Sequence, residues 1–129
     1  MARQKSSQPT ERELAILNVL WQRGPSTVRQ VNVALNESRA TGYTTTLKLM
    51  QIMTDKGLVV RDESDRTHIY KANIGEEKTQ RQLVGDLMER AFGGSAQKLV
   101  MQALAAKKVS RRELEKIKKL LDKFKGEQK

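Results

Sequence analysis

The order of elements readable between Thr10 and Lys71 leaves few folds open to this chain. Leu14, Leu17, Leu20 and Trp21 recur at helical spacing behind Thr10-Glu11-Arg12-Glu13. In that four-residue pattern the Thr hydroxyl can take the third helical amide while the Glu reaches back. Gly24-Pro25 ends the first helix near Arg23. Ser26 or Thr27 can cap a second helix, with Val28, Val31 and Leu35 inward, and Asn36 to Gly42 is turn-like. A third helix is expected over Tyr43 to Lys56, burying Thr46, Leu49, Met50 and Met53, with Gly57 as its end. Directly behind it the composition turns β-prone. Leu58-Val59-Val60-Arg61 and Thr67-His68-Ile69-Tyr70-Lys71 flank the polar turn Asp62-Glu63-Ser64-Asp65-Arg66. Three helices followed by a hairpin is the order of a winged helix-turn-helix.

From Gly75 onward nothing reads as strand. Leu83, Val84, Leu87, Met88, Ala91 and Phe92 form one helical stripe, Gly93-Gly94-Ser95 breaks the chain, and Leu99, Val100, Ala103 and Leu104 form another. Ser110-Arg111-Arg112-Glu113 is a second capping pattern, opening a last helix whose Leu114, Ile117, Leu121 and Phe124 are spaced 3, 4, 3. Short helices with such faces would leave apolar surface exposed in a monomer, which argues for self-association. Leu83, Leu87, Leu99, Val100, Leu104, Leu114, Ile117, Leu121 and Phe124 are the candidate dimer contacts. The expected fold is therefore mainly α with a small β-hairpin wing. Residues 1–9 form a disordered tail, 10–73 a winged helix-turn-helix, and 74–129 a three-helix dimerisation domain.

Composition removes several function classes. The 129 residues include no cysteine and one histidine, so disulfides, thiolate chemistry and a histidine metal cluster have no basis within the chain. No cofactor is expected. There is no Gly-rich phosphate loop and no Ser/His/Asp set to assemble around His68, so an enzyme is not expected either. Glu76-Glu77 suits the positive end of a helix dipole better than catalysis. No apolar run is long enough to span a bilayer, and polar Ser6 to Thr10 follows the basic start where a signal peptide would need an apolar stretch. A soluble cytoplasmic protein without a membrane partner is the reading. The net charge of +10 points to an anionic partner. Nucleic acid, an acidic membrane surface and an acidic protein would all satisfy it. Residues 1–72 hold 11 Lys+Arg against 7 Asp+Glu, residues 73–106 hold 4 against 4, and residues 107–129 hold 10 against 4. The last segment is open to two readings, a solvated helix face or a contact surface.

The third helix carries the central functional expectation. Its outer face shows Thr44, Thr45, Lys48 and Gln51, which are short, polar and nearly uncharged, and Tyr43 at its start joins them as a candidate DNA contact. Hydroxyls, amides and a lysine can reach base edges in the major groove, and Thr methyls can touch thymine methyls. An ordinary solvated face is the competing reading, and the hairpin behind the helix weighs against it. Arg66 at the hairpin tip can touch a phosphate or the minor groove, or be a plain surface arginine softened by Asp62, Glu63 and Asp65. His68 reads as a half-exposed sheet residue, Trp21 as core, and Tyr70 as the residue that packs the hairpin onto the helices. The function class is a dimeric DNA-binding repressor on a palindromic operator. A basic helical module docking an acidic protein is the alternative.

Tyr43-Thr44-Thr45-Thr46-Leu47, Asp55-Lys56-Gly57-Leu58-Val59 and the Arg66…Tyr70 hairpin resemble the penicillinase-repressor family. Glu13-Leu14…Val19-Leu20-Trp21, Ser26-Thr27-Val28-Arg29-Gln30-Val31 and Phe92-Gly93-Gly94-Ser95…Leu99-Val100 share the likeness, which covers about residues 9–125. The resemblance implies homodimeric repressors of β-lactamase and methicillin-resistance operons, bound to an inverted-repeat double-stranded DNA operator. It also implies a sensor-linked protease that cuts between an Asn and a Phe in the C-terminal domain. The matching position here is Gln102-Ala103, the possible cleavage site. Two further departures are visible. The cysteine cluster of a copper-responsive branch is absent, and Ile52 stands where the family often has a basic residue.

Overall fold

A computed structural model describes residues 8–127. The expected disordered tail lies outside the described residues except for Gln8 and Pro9. The elements are α1 (Glu11–Arg23), α2 (Val28–Leu35), α3 (Tyr43–Asp55), β1 (Val59–Asp62), β2 (Ile69–Ala72), α4 (Glu76–Ala91), α5 (Ala96–Ala105) and α6 (Arg111–Glu127). The fold is mainly α with one two-stranded antiparallel hairpin, as the sequence indicates. No helix among the described residues is long and apolar enough to cross a membrane.

The chain divides into two compact units, one ending at Val84 and the other beginning at Gly85. The division thus falls inside α4, later than the sequence break near residues 72–75. The early turns of α4 stay with the first unit for visible reasons. Trp21 Nε1 donates to the Ile74 carbonyl at 3.0 Å, and Thr79 is buried. The Thr79 hydroxyl donates to the Gly75 carbonyl at 2.7 Å.

In the first unit, α1 starts at the capping box read from sequence. Thr10 Oγ1 accepts from the Glu13 amide, and Glu13 Oε1 accepts from the Thr10 amide. Of the two candidate caps for α2, Thr27 takes the role, in a reciprocal box with Gln30. Ser26 does something else. It is buried and forms an antiparallel bridge with Tyr70, with Ser26 N–Tyr70 O at 2.9 Å and Tyr70 N–Ser26 O at 2.8 Å. Tyr70 also faces Arg61 across the hairpin, in a register running from Val59↔Ala72 to Asp62↔Ile69. The hairpin is thereby tied to the segment ahead of α2.

The core draws on every element up to β2: Ile16, Leu17 and Leu20 from α1, Val28 and Val31 from α2, and Met50 and Met53 from α3. Leu58, Val59 and Tyr70 complete it. Helix α1 is rotated from the stripe read in sequence. Ile16 and Glu13 are buried, while Leu14 and Trp21 are only half-buried. On α3, Leu49 is likewise half-buried where full burial was expected. His68 is exposed and precedes β2 instead of lying within it.

Glu13 explains part of that rotation. Both of its carboxylate oxygens accept from Lys56 Nζ at 2.9 Å, which joins the start of α1 to the residue that closes α3. Burial pushes the Glu13 carboxyl up, but the Lys56 ammonium and the Thr10 amide and hydroxyl outweigh it, so the group is held below its ordinary value. A carboxyl with a depressed folded-state pKa stabilises the fold above its unfolded pKa and ceases to as pH falls through the folded value. Thermal stability should therefore drop on acidification below about pH 4, near the ordinary carboxylate range, and Glu13→Gln should flatten that drop. Lys56→Met, which leaves the carboxylate buried without its cation, should cost about 1–3 kcal/mol at neutral pH. Melting curves as a function of pH check both.

In the second unit, α4 ends where the Phe92 and Gly94 amides both donate to the Met88 carbonyl. Gly93 and Gly94 take φ of 57° and 79°, a left-handed turn that suits glycine. Ser95 and Ser110 cap α5 and α6 by accepting from the Lys98 and Glu113 amides at 3.1 Å. No residue of α5 or α6 is buried.

Candidate nucleic-acid interface

The outer face of α3 is held in place from its inner side. At its start, Asn32 of α2 donates through Nδ2 to Thr46 Oγ1 at 2.8 Å and to the Thr41 carbonyl at 2.9 Å. Thr46 is fully buried, and its hydroxyl donates in turn to the Gly42 carbonyl. Asn36 locks the turn between α2 and α3. It donates to the Asn32 and Thr41 carbonyls and accepts from the Thr41 amide. Met50 and Met53 fill the core along the middle of the helix, and Lys56–Glu13 holds the far end. Rotation of α3 about its axis would break all of these together.

With that face inward, Thr44, Thr45, Lys48 and Gln51 are all exposed, as is Tyr43. Among the described residues, no hydrogen bond or ion pair occupies the side chains of Thr44, Thr45, Lys48 or Gln51. Gly42 caps α3 without a side-chain hydrogen bond, so no side chain takes up the first amides of the helix. Ile52, which is 43% exposed, continues the surface as an apolar residue.

The wing brings a second set of groups to the same region. An open concavity is lined by Thr27, Val28 and Arg29 from the start of α2, Tyr43 and Leu47 from α3, and Arg66, Thr67, His68 and Tyr70 from the hairpin. Arg66 and Tyr43, named from sequence, thus border one hollow. Arg29 joins them from outside the set that the sequence points to. Its guanidinium carbon lies 5.6 Å from the Tyr43 ring centroid, a cation–π distance. The available signal was its place in the first turn of a capped helix, but the partner ring stands fourteen positions on. The wing tip is shaped by Asp62, whose carboxylate accepts from the Ser64 amide and hydroxyl; those bonds hold its pKa below the ordinary value.

The remaining sequence-named residues lie in α4, α5 and α6. Leu87, Val100, Leu104, Leu114, Leu121 and Phe124 are exposed, whereas Leu83, Leu99 and Ile117 are half-buried. Gln102 and Ala103 are exposed in the last turn and a half of α5, where the Gln102 carbonyl accepts from the Ala106 amide at 2.8 Å.

A helix held outward behind a short locked turn, with a hairpin wing bridged to the preceding loop, defines a winged helix-turn-helix protein. The family model for the penicillinase repressor matches residues 9–123, and the chain belongs to that family. Mycobacterium tuberculosis has a relative named transcriptional regulator BlaI, 36% identical over 80 residues, or 61% of this chain. This chain spans only 58% of that relative's length. The Staphylococcus aureus penicillinase repressor is 18% identical over 110 residues, covering 85% of this chain and 87% of that protein. Among solved structures, the solution structure of the DNA binding domain of the repressor BlaI superposes with a TM-score of 0.50 at 22% identity. It covers 57% of this chain and 90% of its own, and it shows the likeness of fold.

The Asn32 bridge makes a direct prediction. Asn32→Ala leaves the buried Thr46 hydroxyl without its donor, while the Thr41 carbonyl keeps Asn36, at a cost of about 1–3 kcal/mol. For a unit of this size that is a fall in melting temperature of roughly 5–15 °C. Calorimetry or thermal circular dichroism measures it, and an unchanged melting temperature would remove the bridge as a determinant of α3's position.

Proposed function

We propose that this protein is a DNA-binding transcriptional repressor that acts as a homodimer on an inverted-repeat operator. The observation that carries this reading is the outer face of α3, where Thr44, Thr45, Lys48 and Gln51 stand exposed on a helix anchored at both ends. A rigid helix of that width enters the major groove, and these side-chain types discriminate base edges there. Arg66 and Arg29 border the concavity beside α3, which supports a role for them in holding phosphates, contacts that fix register without reading sequence. The face carries no aromatic anchor beyond Tyr43, which weighs against an ordinary protein-docking patch.

Dimerisation is supported by the second unit. Its exposed Leu87, Val100, Leu104, Leu114, Leu121 and Phe124 sit on helices that bury nothing fully within one chain. Pairing two copies through such faces covers them and presents two readers to two half-sites, spaced by one helical turn or a multiple of it.

Gel shifts and footprinting on the DNA upstream of the protein's own gene, against random competitor, test the reading. Thr44→Ala, Thr45→Ala and Lys48→Ala should each weaken operator binding by about 1–3 kcal/mol and affect random DNA less. Arg66→Ala should weaken both alike and reduce the salt slope by about one unit. Equal losses on both DNAs for all three α3 substitutions would take base reading away from this helix. A footprint of one half-site occupied by one chain would overturn the dimer.

A further inference from the structure

Helix α6 carries a charge pattern that the reading above leaves unused. At about 100° per residue, Arg112, Lys116, Lys119 and Lys123 fall within roughly 60° of one another and form a single stripe. The apolar Leu114, Ile117, Leu121 and Phe124 occupy the other side. Arg111, Lys118 and Lys125 lie near the border of that apolar face, and Glu115 and Asp122 stand between the two basic rows. All four stripe residues are exposed, and no ion pair among the described residues engages them.

We propose that this stripe is a second nucleic-acid contact, one that holds the phosphate backbone of duplex DNA without regard to sequence. Four cations spread over about 16 Å of helix rise meet a partner that offers a negative charge every ~1.7 Å of duplex axis. A stripe of that length faces several phosphates in any register. The residue types fit the same role. Three of the four are lysines, compact point charges on flexible stems, which suit diffuse backbone attraction better than the bidentate geometry of base reading. Leu120, which is 53% exposed, borders the stripe beside Lys116 and Lys123, but no aromatic side chain lies within the stripe, which gives an acidic protein little to anchor on. The charge also sits where it is most concentrated, since residues 107–129 hold 10 Lys+Arg against 4 Asp+Glu. The inference extends the DNA-binding reading of α3, but it is measured on random-sequence DNA, so the two fail separately.

The test compares two triple variants of the full chain that lose equal charge. One carries Lys116→Gln, Lys119→Gln and Lys123→Gln; the other carries Arg111→Gln, Lys118→Gln and Lys125→Gln. Binding to a random-sequence duplex is titrated over a salt series, with sedimentation and circular dichroism to verify assembly and helix content. The first variant should lower the slope of log affinity against log salt by about two to three units and weaken binding at least tenfold near 100 mM salt, the second much less. Replacing the same three lysines by arginine should keep the original slope. Should the first variant fail to fold, the three single substitutions carry the test, each with an expected loss of about 0.9 units. An unchanged slope, or equal losses in the two triples, would overturn the site. So would a stripe variant that loses binding to anionic phospholipid vesicles while keeping its affinity for DNA. If instead the unsubstituted chain shows no operator preference but the stripe effect on random DNA persists, the reading of α3 fails and this one stands.

Discussion

A helix can offer a reading surface only if it cannot roll, and the first unit is built around stopping α3 from rolling. The constraint is shared among three kinds of interaction. Asn32 hydrogen-bonds to buried Thr46 at the start, Met50 and Met53 fill the core along the middle, and Lys56 meets the Glu13 carboxylate at the end. Each kind fails differently. The amide bridge is directional and sets rotation, the methionines supply apolar contact that tolerates small shifts, and the ion pair sets the axial position of the far end. Exposure of Thr44, Thr45, Lys48 and Gln51 is the complement of that inward set, because a helix with one face fixed has the other fixed as well.

The wing depends on the same core by a different route. A two-stranded hairpin is marginal by itself, and this one is supported in two ways. Tyr70 is buried among the helices, and its backbone pairs with Ser26 ahead of α2. The loop after α1 is thereby tied to the outer edge of β2 through a single bridge. That places Arg66 and the start of α2, with Arg29 and Thr27, around one concavity. Side chains from elements far apart in sequence are thus brought around one hollow by a tyrosine whose ring is buried in the core and whose hydroxyl accepts from Arg61.

The second unit follows a different logic. Its helices are capped and stopped by local chemistry, through Ser95, Ser110 and the Gly93-Gly94 turn, yet they bury none of α5 or α6 completely. Helix α6 carries its apolar and basic side chains on different faces, and both faces are exposed within one chain. An excess of positive charge on such a helix costs little in folding, since exposed charges at these spacings interact weakly in water.

What the sequence determined by itself is whatever depends on neighbours within about four residues. Helix starts at Thr10 and Ser110, stops at Gly24 and Gly93-Gly94, and the β-prone runs around Asp62–Arg66 were all legible, as was the polar outer face of α3, whereas the choice of Thr27 over Ser26 as the cap of α2 was not. The family likeness was legible in the same local motifs. Tertiary structure alone decided the contacts that fix those pieces in space. Glu13 reads as half of a capping box, but its burial and its bond to Lys56 span 43 positions. The Ser26–Tyr70 bridge, the Asn32–Thr46 bond and the Arg29–Tyr43 stack join different elements. The rotation that buries Ile16 and leaves Leu14 half-exposed follows from which face of α1 meets α2, α3 and the hairpin together. A periodicity names the faces a helix could bury. Only the simultaneous packing of its partners selects one, because the buried area and the satisfied polar groups belong to the assembled core and to no single segment.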